Sequence, residues 1–303
     1  MHRQFLLCCV LTGALLMILS FVSSAQQKPL FTQYVFNDFF YNPAIASVKN
    51  GADFKFLYRY QWAGLQGQPH TQTFSGCGSL KKFPLGIGGN IYHDKTGALR
   101  NIGFNVALSY GIRLKKESMI AAGISLGIVA LDLDEDIHIR EVNDAAVAEV
   151  QDGKVAPDIG LGIYYRWKGL YAGFSVPQIN KNDPSDLRQI PHYFLAAGYR
   201  FTVAKKFELE PSFLIKAVKA APVEGDITLR AWYNHMVWLG ATYRTGDAAA
   251  LFAGVLIKKM IEIGYAYDIT TSNLRTVSSG SHEVVLGYKW VRKIASSTGY
   301  EVL

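Results

Sequence analysis

From Asn101 the chain alternates. Ile102, Phe104, Val106, Leu108, Tyr110 and Ile112 are apolar, while Asn101, Gly103, Asn105, Ala107, Ser109, Gly111 and Arg113 are small or polar. A period of two is the signature of a strand with one apolar face. The pattern returns at Tyr193–Phe201, Phe207–Ile215, Ile261–Tyr267 and Val284–Trp290. The segments that contain them, such as 260–270 and 282–293, reach the roughly 9–11 residues that a tilted strand needs to cross hydrocarbon. One face is nearly all apolar and the other is Gly, Ala, Ser, Asn and charge, which is the lipid-out, lumen-in arrangement. The reading is all-β: a transmembrane antiparallel barrel of about fourteen strands. A barrel satisfies its backbone in lipid because it has no open edge.

The predicted strands lie near 53–62, 70–80, 84–94, 100–114, 117–131, 157–167, 169–178, 190–203, 206–218, 226–236, 238–245, 248–258, 260–270 and 282–293. Turn signals fall at Lys115-Lys116, Lys168-Gly169, Ala204-Lys205-Lys206 and Thr245-Gly246-Asp247. Longer polar stretches run over Asp132–Ala156, Asn180–Gln189, Ala217–Gly225 and Thr271–Ser281. With strand 1 running outward from the periplasm, all four follow odd strands and lie outside. Aromatics near segment ends, Tyr164, Tyr165, Trp167, Trp232, Trp238 and Trp290, are expected in interface girdles. Gly86, Gly88, Gly103, Gly123, Gly127 and Gly264 strip bulk from the lumen wall, which either leaves space or admits a plug.

The first 25 residues read as a cleaved secretory signal: Arg3, an apolar run from Phe5 to Val22, then Ser23-Ser24-Ala25. Cleavage removes one charge, leaving 30 basic against 24 acidic residues, and one cysteine, Cys77. One thiol cannot form an internal disulfide. Domain boundaries are placed at 26–52 for an N-terminal periplasmic or plug segment, 53–294 for the barrel and 295–303 for a tail. The net charge of +7 on the full chain raises nucleic acid as a partner, but basic runs are only pairs, so none is expected.

Catalytic and metal signals are weak. His70, His93, His138, His192, His235 and His282 are scattered, and no cofactor is implied. The acidic run Asp132–Asp136 lacks the glycine and distal glutamate of a calcium loop. Gly86–Gly89 is not followed by a phosphate-loop lysine. Ser281-His282 raises an outer-membrane hydrolase, but a triad is a matter of geometry. Two stretches exceed what a barrel needs: Lys28–Ser47, aromatic-rich without clean alternation, and Tyr58–Thr73. Asn42-Pro43-Ala44 suits a helix start with Asn as cap and Pro at its first position. Arg59, Gln61 and Trp62 must face the lumen or sit at a rim.

In order along the chain, FTQYVFNDFFYNPAIAS, YRYQW with GQPHTQT, IYHDKTG, PHYFLAAGYRF, LEPSFLIK, IEIGYAYD and GSHEVVLGYKW resemble the PorP/SprF family of type IX secretion outer-membrane proteins of Bacteroidota. Departures are Asp38-Phe39, Ser47 and the Asp132–Ala156 stretch. The resemblance implies an integral protein of the bacterial outer membrane that is a secretion accessory, in some members gliding-linked, and not an enzyme. It would contact outer-membrane lipids, the periplasmic secretion ring and lipoproteins, and secreted cargo with a C-terminal secretion domain. The N-terminal segment would face the periplasmic machinery. Positions in these motifs implied to dock partners or hold the fold are Gln33, Tyr34, Asn37, Asn42, Pro43, Arg59, Gln61, Trp62, Pro69, Thr71, Asp94, Tyr265, Tyr267, Asp268, Gly280, Ser281, His282 and Glu283. The alternative is a passive porin or small-solute transporter.

Overall fold

The computed structural model describes residues 29–80, 83–115, 117–133, 154–179, 190–219 and 221–291. The signal segment, the tail, His138, Asp134–Asp136 and the Asn180–Gln189 stretch lie outside the described residues.

Fifteen strands follow a short N-terminal segment: β1 (Gly51–Tyr60), β2 (His70–Ser79), β3 (Leu85–Thr96), β4 (Leu99–Lys115), β5 (Ser118–Leu133), β6 (Lys154–Trp167), β7 (Leu170–Val176), β8 (His192–Tyr199), β9 (Phe201–Ala204), β10 (Phe207–Val218), β11 (Glu224–Tyr233), β12 (Val237–Arg244), β13 (Ala248–Ile257), β14 (Ile261–Thr270) and β15 (Ser281–Val291). Strands β8 and β9 are one pass interrupted at Arg200, since both pair with β10. The barrel therefore has fourteen staves, as the sequence pattern predicts. Every pairing is antiparallel, and the ring closes through β15 against β1 and β10 against β11. Closure leaves no edge to satisfy in lipid. No helix among the described residues is long and apolar enough to cross a membrane; strands do the crossing.

The apolar face points outward. Phe104, Val106 and Leu108 are about half exposed (47–51%), whereas Asn105 and Ala107 between them are 4% and 6% exposed. Such an inverted surface is stable only in hydrocarbon. Three of the expected girdle residues do not belong there: Tyr164 shares the inward parity of Asp158 and Gly162 and packs against the plug. Trp232 and Trp238 share the inward parity of Thr228, Arg230 and Thr242, and both are buried in the lumen. Trp167 and Trp290 are exposed on the outer face.

The lumen is filled. A barrel of eight strands is filled by its own side chains, while sixteen or more leave a channel. Fourteen staves leave space, and residues 31–48 occupy it. This segment makes one helical turn (Asp38–Tyr41) and a 3₁₀ turn (Pro43–Ser47). It touches walls on all sides. A Cβ on Gly86 of β3 would lie 2.1 Å from the Ser47 nitrogen, and one on Gly123 of β5 would lie 2.5 Å from the Ala44 nitrogen. The small lumen residues are thus the imprint of the plug. Gly88 and Gly264 likewise face Phe39 and Gln33, but Gly103 and Gly127 make room for Tyr92 and Asn105 of the wall itself. Gly86→Ala is expected to cost about 1–3 kcal/mol, because the atom it meets is rigid backbone. A fall of that size in the denaturation midpoint, read as free energy, checks it; an unchanged midpoint would show that the plug slides freely.

Candidate functional site

The plug runs from one end of the barrel to the other. Leu30 lies in a small cavity of about 20 Å³ with His192, Val218, Ala221 and Glu224, at the end carrying the long connections. Ser47 lies beside Gly86 and Gly111, at the end of short turns, where β1 begins. Residues from Phe31 to Val48 are buried in the lumen apart from half-buried Val35 and Asp38, Leu30 lies at the opposite end, and half-buried Lys49 and Asn50 lead out at the short-turn end.

A buried charge cluster clamps the start of the plug. Glu283 takes two consecutive backbone N–H groups, from Thr32 to Oε2 (2.8 Å) and from Gln33 to Oε1 (2.7 Å). The Thr32 hydroxyl donates to Asp268 (2.7 Å) and accepts from Arg59 (2.8 Å) and Arg244 (3.3 Å). Arg59 bridges Asp268 (2.8 Å) and Glu283 (2.9 Å). Arg244 reaches Asp226 (3.2 Å), which also meets Lys216 (3.1 Å). Three buried cations face three buried carboxylates, with half-buried Asp247 (3.3 Å from Arg244) and Glu224 (3.7 Å from Lys216) at the margin, so no buried charge is left unpaired where that would be costly. Parity explains the assembly: each of these wall residues is on the inward face of its strand, near the same end.

Below the clamp, Phe36 packs against Trp238 (4.7 Å between centroids), Trp232 (6.4 Å) and Phe252 (6.2 Å). The Arg230 guanidinium lies 4.5 Å over the Phe36 ring and bonds Glu210 (2.5 Å). Tyr34 reaches Ser212 (3.3 Å) and Thr228 (3.4 Å). On the other side Asn37 accepts from Ser75 (2.7 Å). Asn42 donates to the Ile163 carbonyl (2.9 Å), and its Oδ1 accepts from Ala44 (3.0 Å). The cap and Pro43 at the first position are as predicted; the turn they start is 3₁₀.

At the exit of the plug Lys49 bridges Asp38 (2.8 Å) and Asp53 (3.3 Å). Burial works to lower the Lys49 pKa, but the two carboxylates outweigh it and hold the ammonium well above its ordinary value. A raised folded pKa gives stabilisation that is complete below the unfolded pKa of about 10.4 and is lost as pH rises through the folded one. The tether is therefore expected to hold unchanged between about pH 6 and 9 and to loosen only above about 10.4. Protease cleavage near residue 50 against pH reads this; loosening near neutrality would refute it.

The second predicted stretch forms a platform at the same end as the clamp. The Gln61 N–H donates to the Pro69 carbonyl (2.9 Å), closing the β1–β2 loop. Trp62, at φ +54°, donates its N–H to Ser281 Oγ (3.1 Å). Ala63 donates to Gly280 (2.7 Å), Ser279 donates to Ala63 (2.7 Å), and the Tyr267 hydroxyl donates to Ser279 (2.6 Å). Two loops are thus stitched into one surface directly above the clamp. Of the predicted residues, Thr71 and Asp94 form a separate pair (2.5 Å) between β2 and β3. Tyr265 and His282 bond each other (2.7 Å) away from the buried lumen face. Ser281 and His282 point to opposite faces of β15, as adjacent strand residues must, so they form no catalytic pair.

Sequence reasoning missed Thr32, Arg244, Asp226 and Lys216. The available signal was a charge on the small-residue face of an otherwise apolar alternation, as at Arg244 and Asp226. Among the described residues no three His, Cys, Asp or Glu side chains gather as a metal site.

A family model described as "Type IX secretion system membrane protein PorP/SprF" matches residues 23–288. No curated protein matches the chain. Among solved structures it is similar to the CymD monoaromatic hydrocarbon channel, at 10% identity over 83% of this chain and 92% of that one, with a TM-score of 0.52. It also matches the outer membrane protein Omp33 of Acinetobacter baumannii, at 7% identity over 80% and 100% of the two chains, with a TM-score of 0.49. At these identities the likeness to CymD speaks for the fold alone: an outer-membrane barrel.

Proposed function

Since this chain belongs to the PorP/SprF family of type IX secretion system membrane proteins, we propose that it works as a plugged, non-catalytic barrel. Its outer end holds or receives secreted cargo ending in a C-terminal secretion domain. Its periplasmic end docks the secretion ring and its lipoproteins.

The observation that carries this reading is the filled lumen. Two cavities beside the plug, lined by Leu30 with His192 and by Phe39 with Asn90, hold about 20 and 10 Å³, room for about one water at most. A passive porin needs a continuous aqueous path, and residues 31–48 stand in it. The stitched Trp62 and Gly280 loops support a docking role, because a bound partner meets a surface that is already ordered.

Deletion of the gene is expected to remove a defined set of proteins from the cell surface and medium, and a plasmid copy to restore them. An unchanged set of secreted proteins would overturn the proposal. Orientation is tested separately with a membrane-impermeant thiol reagent on intact cells. Cys77 is buried and stays silent. Lys219→Cys, exposed at the long-connection end, is expected to label, and Lys206→Cys, exposed at the short-turn end, is not. The reverse pattern would invert the barrel and exchange the two docking roles.

A further inference from the structure

Among the described residues, the two ends of the barrel differ in charge. The exposed charged side chains at the short-turn end are Arg113, Lys168, Lys205, Lys206, Lys258 and Lys259, with Glu117 the single acid. At the long-connection end they are Lys219 and Arg275. The short-turn cations are not gathered on one side. They occupy the β4–β5, β6–β7, β9–β10 and β13–β14 ends and so are spread around the perimeter.

Each lies beside side chains that face lipid. Trp167 precedes Lys168, whose ammonium sits 5.8 Å from the indole centroid. Phe207 follows Lys206, and Ile257 and Ile261 flank Lys258 and Lys259. An aromatic and cation pairing at that depth marks the headgroup plane, where amphipathic rings rest and lysines reach phosphate.

The β13–β14 turn adds an independent sign. Met260 donates to the Ile257 carbonyl (3.0 Å), and Lys258 and Lys259 both have positive φ, 51° and 58°. This is a type I′ turn, whose strong preference is Asn-Gly. The equivalent β11–β12 turn uses Asn234 and His235. Two lysines in the left-handed region are strained for their turn, and their charge is what they bring.

We propose that the short-turn end of the barrel binds the phosphate headgroups of anionic phospholipids in the leaflet it faces. A protein partner would need cations on one arc; a ring of them around the hydrocarbon boundary fits a lipid annulus. The annulus would fix the depth of the barrel beneath the cargo platform. A lysine close to an anionic surface strengthens association by about fivefold, so several together select anionic over zwitterionic lipid.

The test uses the full barrel in phosphatidylcholine bilayers with brominated phosphatidylglycerol or brominated phosphatidylcholine as quencher. Trp167 and Trp290, exposed on the outer face, report the contact, over a background from the other tryptophans. Phosphatidylglycerol is expected to quench with an association constant at least about fivefold higher, and salt to weaken it. K168Q/K205Q/K206Q/K258Q/K259Q is expected to abolish the preference, and K219Q/R275Q to keep it. Equal quenching by both lipids in the wild type would overturn the proposal, as would a preference that survives loss of the five lysines. So would lysines that select no lipid but are needed to retain an acidic periplasmic protein. K258N/K259G guards against misfolding, because it relaxes the turn. It is expected to raise the unfolding temperature in phosphatidylcholine while lowering the preference for phosphatidylglycerol; a rise with the preference intact would remove this pair from the site.

Discussion

Deleting residues 29–47 is expected to turn a barrel that passes no steady current into one that conducts ions. The staves do not need the plug to stay closed, because their backbone bonds form an unbroken antiparallel ring. What the plug supplies is bulk. Gly86, Gly123, Gly162 and Gly173 would face an empty lumen without it. Arg59, Arg244, Asp268 and Glu283 would then be hydrated, so their charges would carry little penalty and would line a polar pore. Planar-bilayer recording of the two forms reads the result directly. A deletion form that folds, shown by its strand signal in circular dichroism, and still passes no current would mean that the outer connections seal the barrel themselves.

The second large effect is expected from Arg59→Ala. Arg59 is 1% exposed and is the one group that joins Asp268, Glu283 and Thr32. Its loss leaves Glu283, also 1% exposed, without its cation while still holding two backbone N–H groups. Removing one partner from a buried ion cluster costs about 3–5 kcal/mol. Asp268 keeps Arg244 at 3.4 Å, so the loss falls mainly on the Glu283 side. The start of the plug is expected to detach first, giving protease cuts between Thr32 and Tyr41 in a barrel that still runs as folded. Thr32→Val in the same background should add less than it costs alone, since both act through one cluster. Full additivity, or a plug as protected as in the wild type, would show that the clamp does not hold it.

The two effects differ in kind. Deletion removes the plug with its partners' burden, whereas Arg59→Ala keeps the plug and destroys the balance that seats it. Secretion measured in both separates a plug that merely seals from one whose seating the stitched loop surface needs. The platform shares β15 with the clamp: Ser281 holds Trp62 and Glu283 holds Thr32, two residues apart on one face.

The alternation at Asn101–Arg113 was legible because parity is a local property: residues two apart share a face whatever surrounds them. It gave the number of staves and the lipid face. Proximity to a strand end misplaced Tyr164, Trp232 and Trp238, whose parity puts them in the inward set. The Asn42 cap and Pro43 were legible for the same local reason. The glycines of β3 and β5 announced that something small was required, but not what fills the space.

By itself, then, the sequence determined a fourteen-stave barrel, its outward face and the family resemblance carried by motifs from Phe31 to Trp290. Only the tertiary structure decided that residues 31–48 lie inside it, that Leu30 sits at the long-connection end, and that Thr32 meets Glu283 across 251 positions of sequence. The reason is ring closure. Whether inward residues of β1, β12, β14 and β15 converge on one point depends on how the staves are staggered around the ring, and a period of two carries no information about stagger.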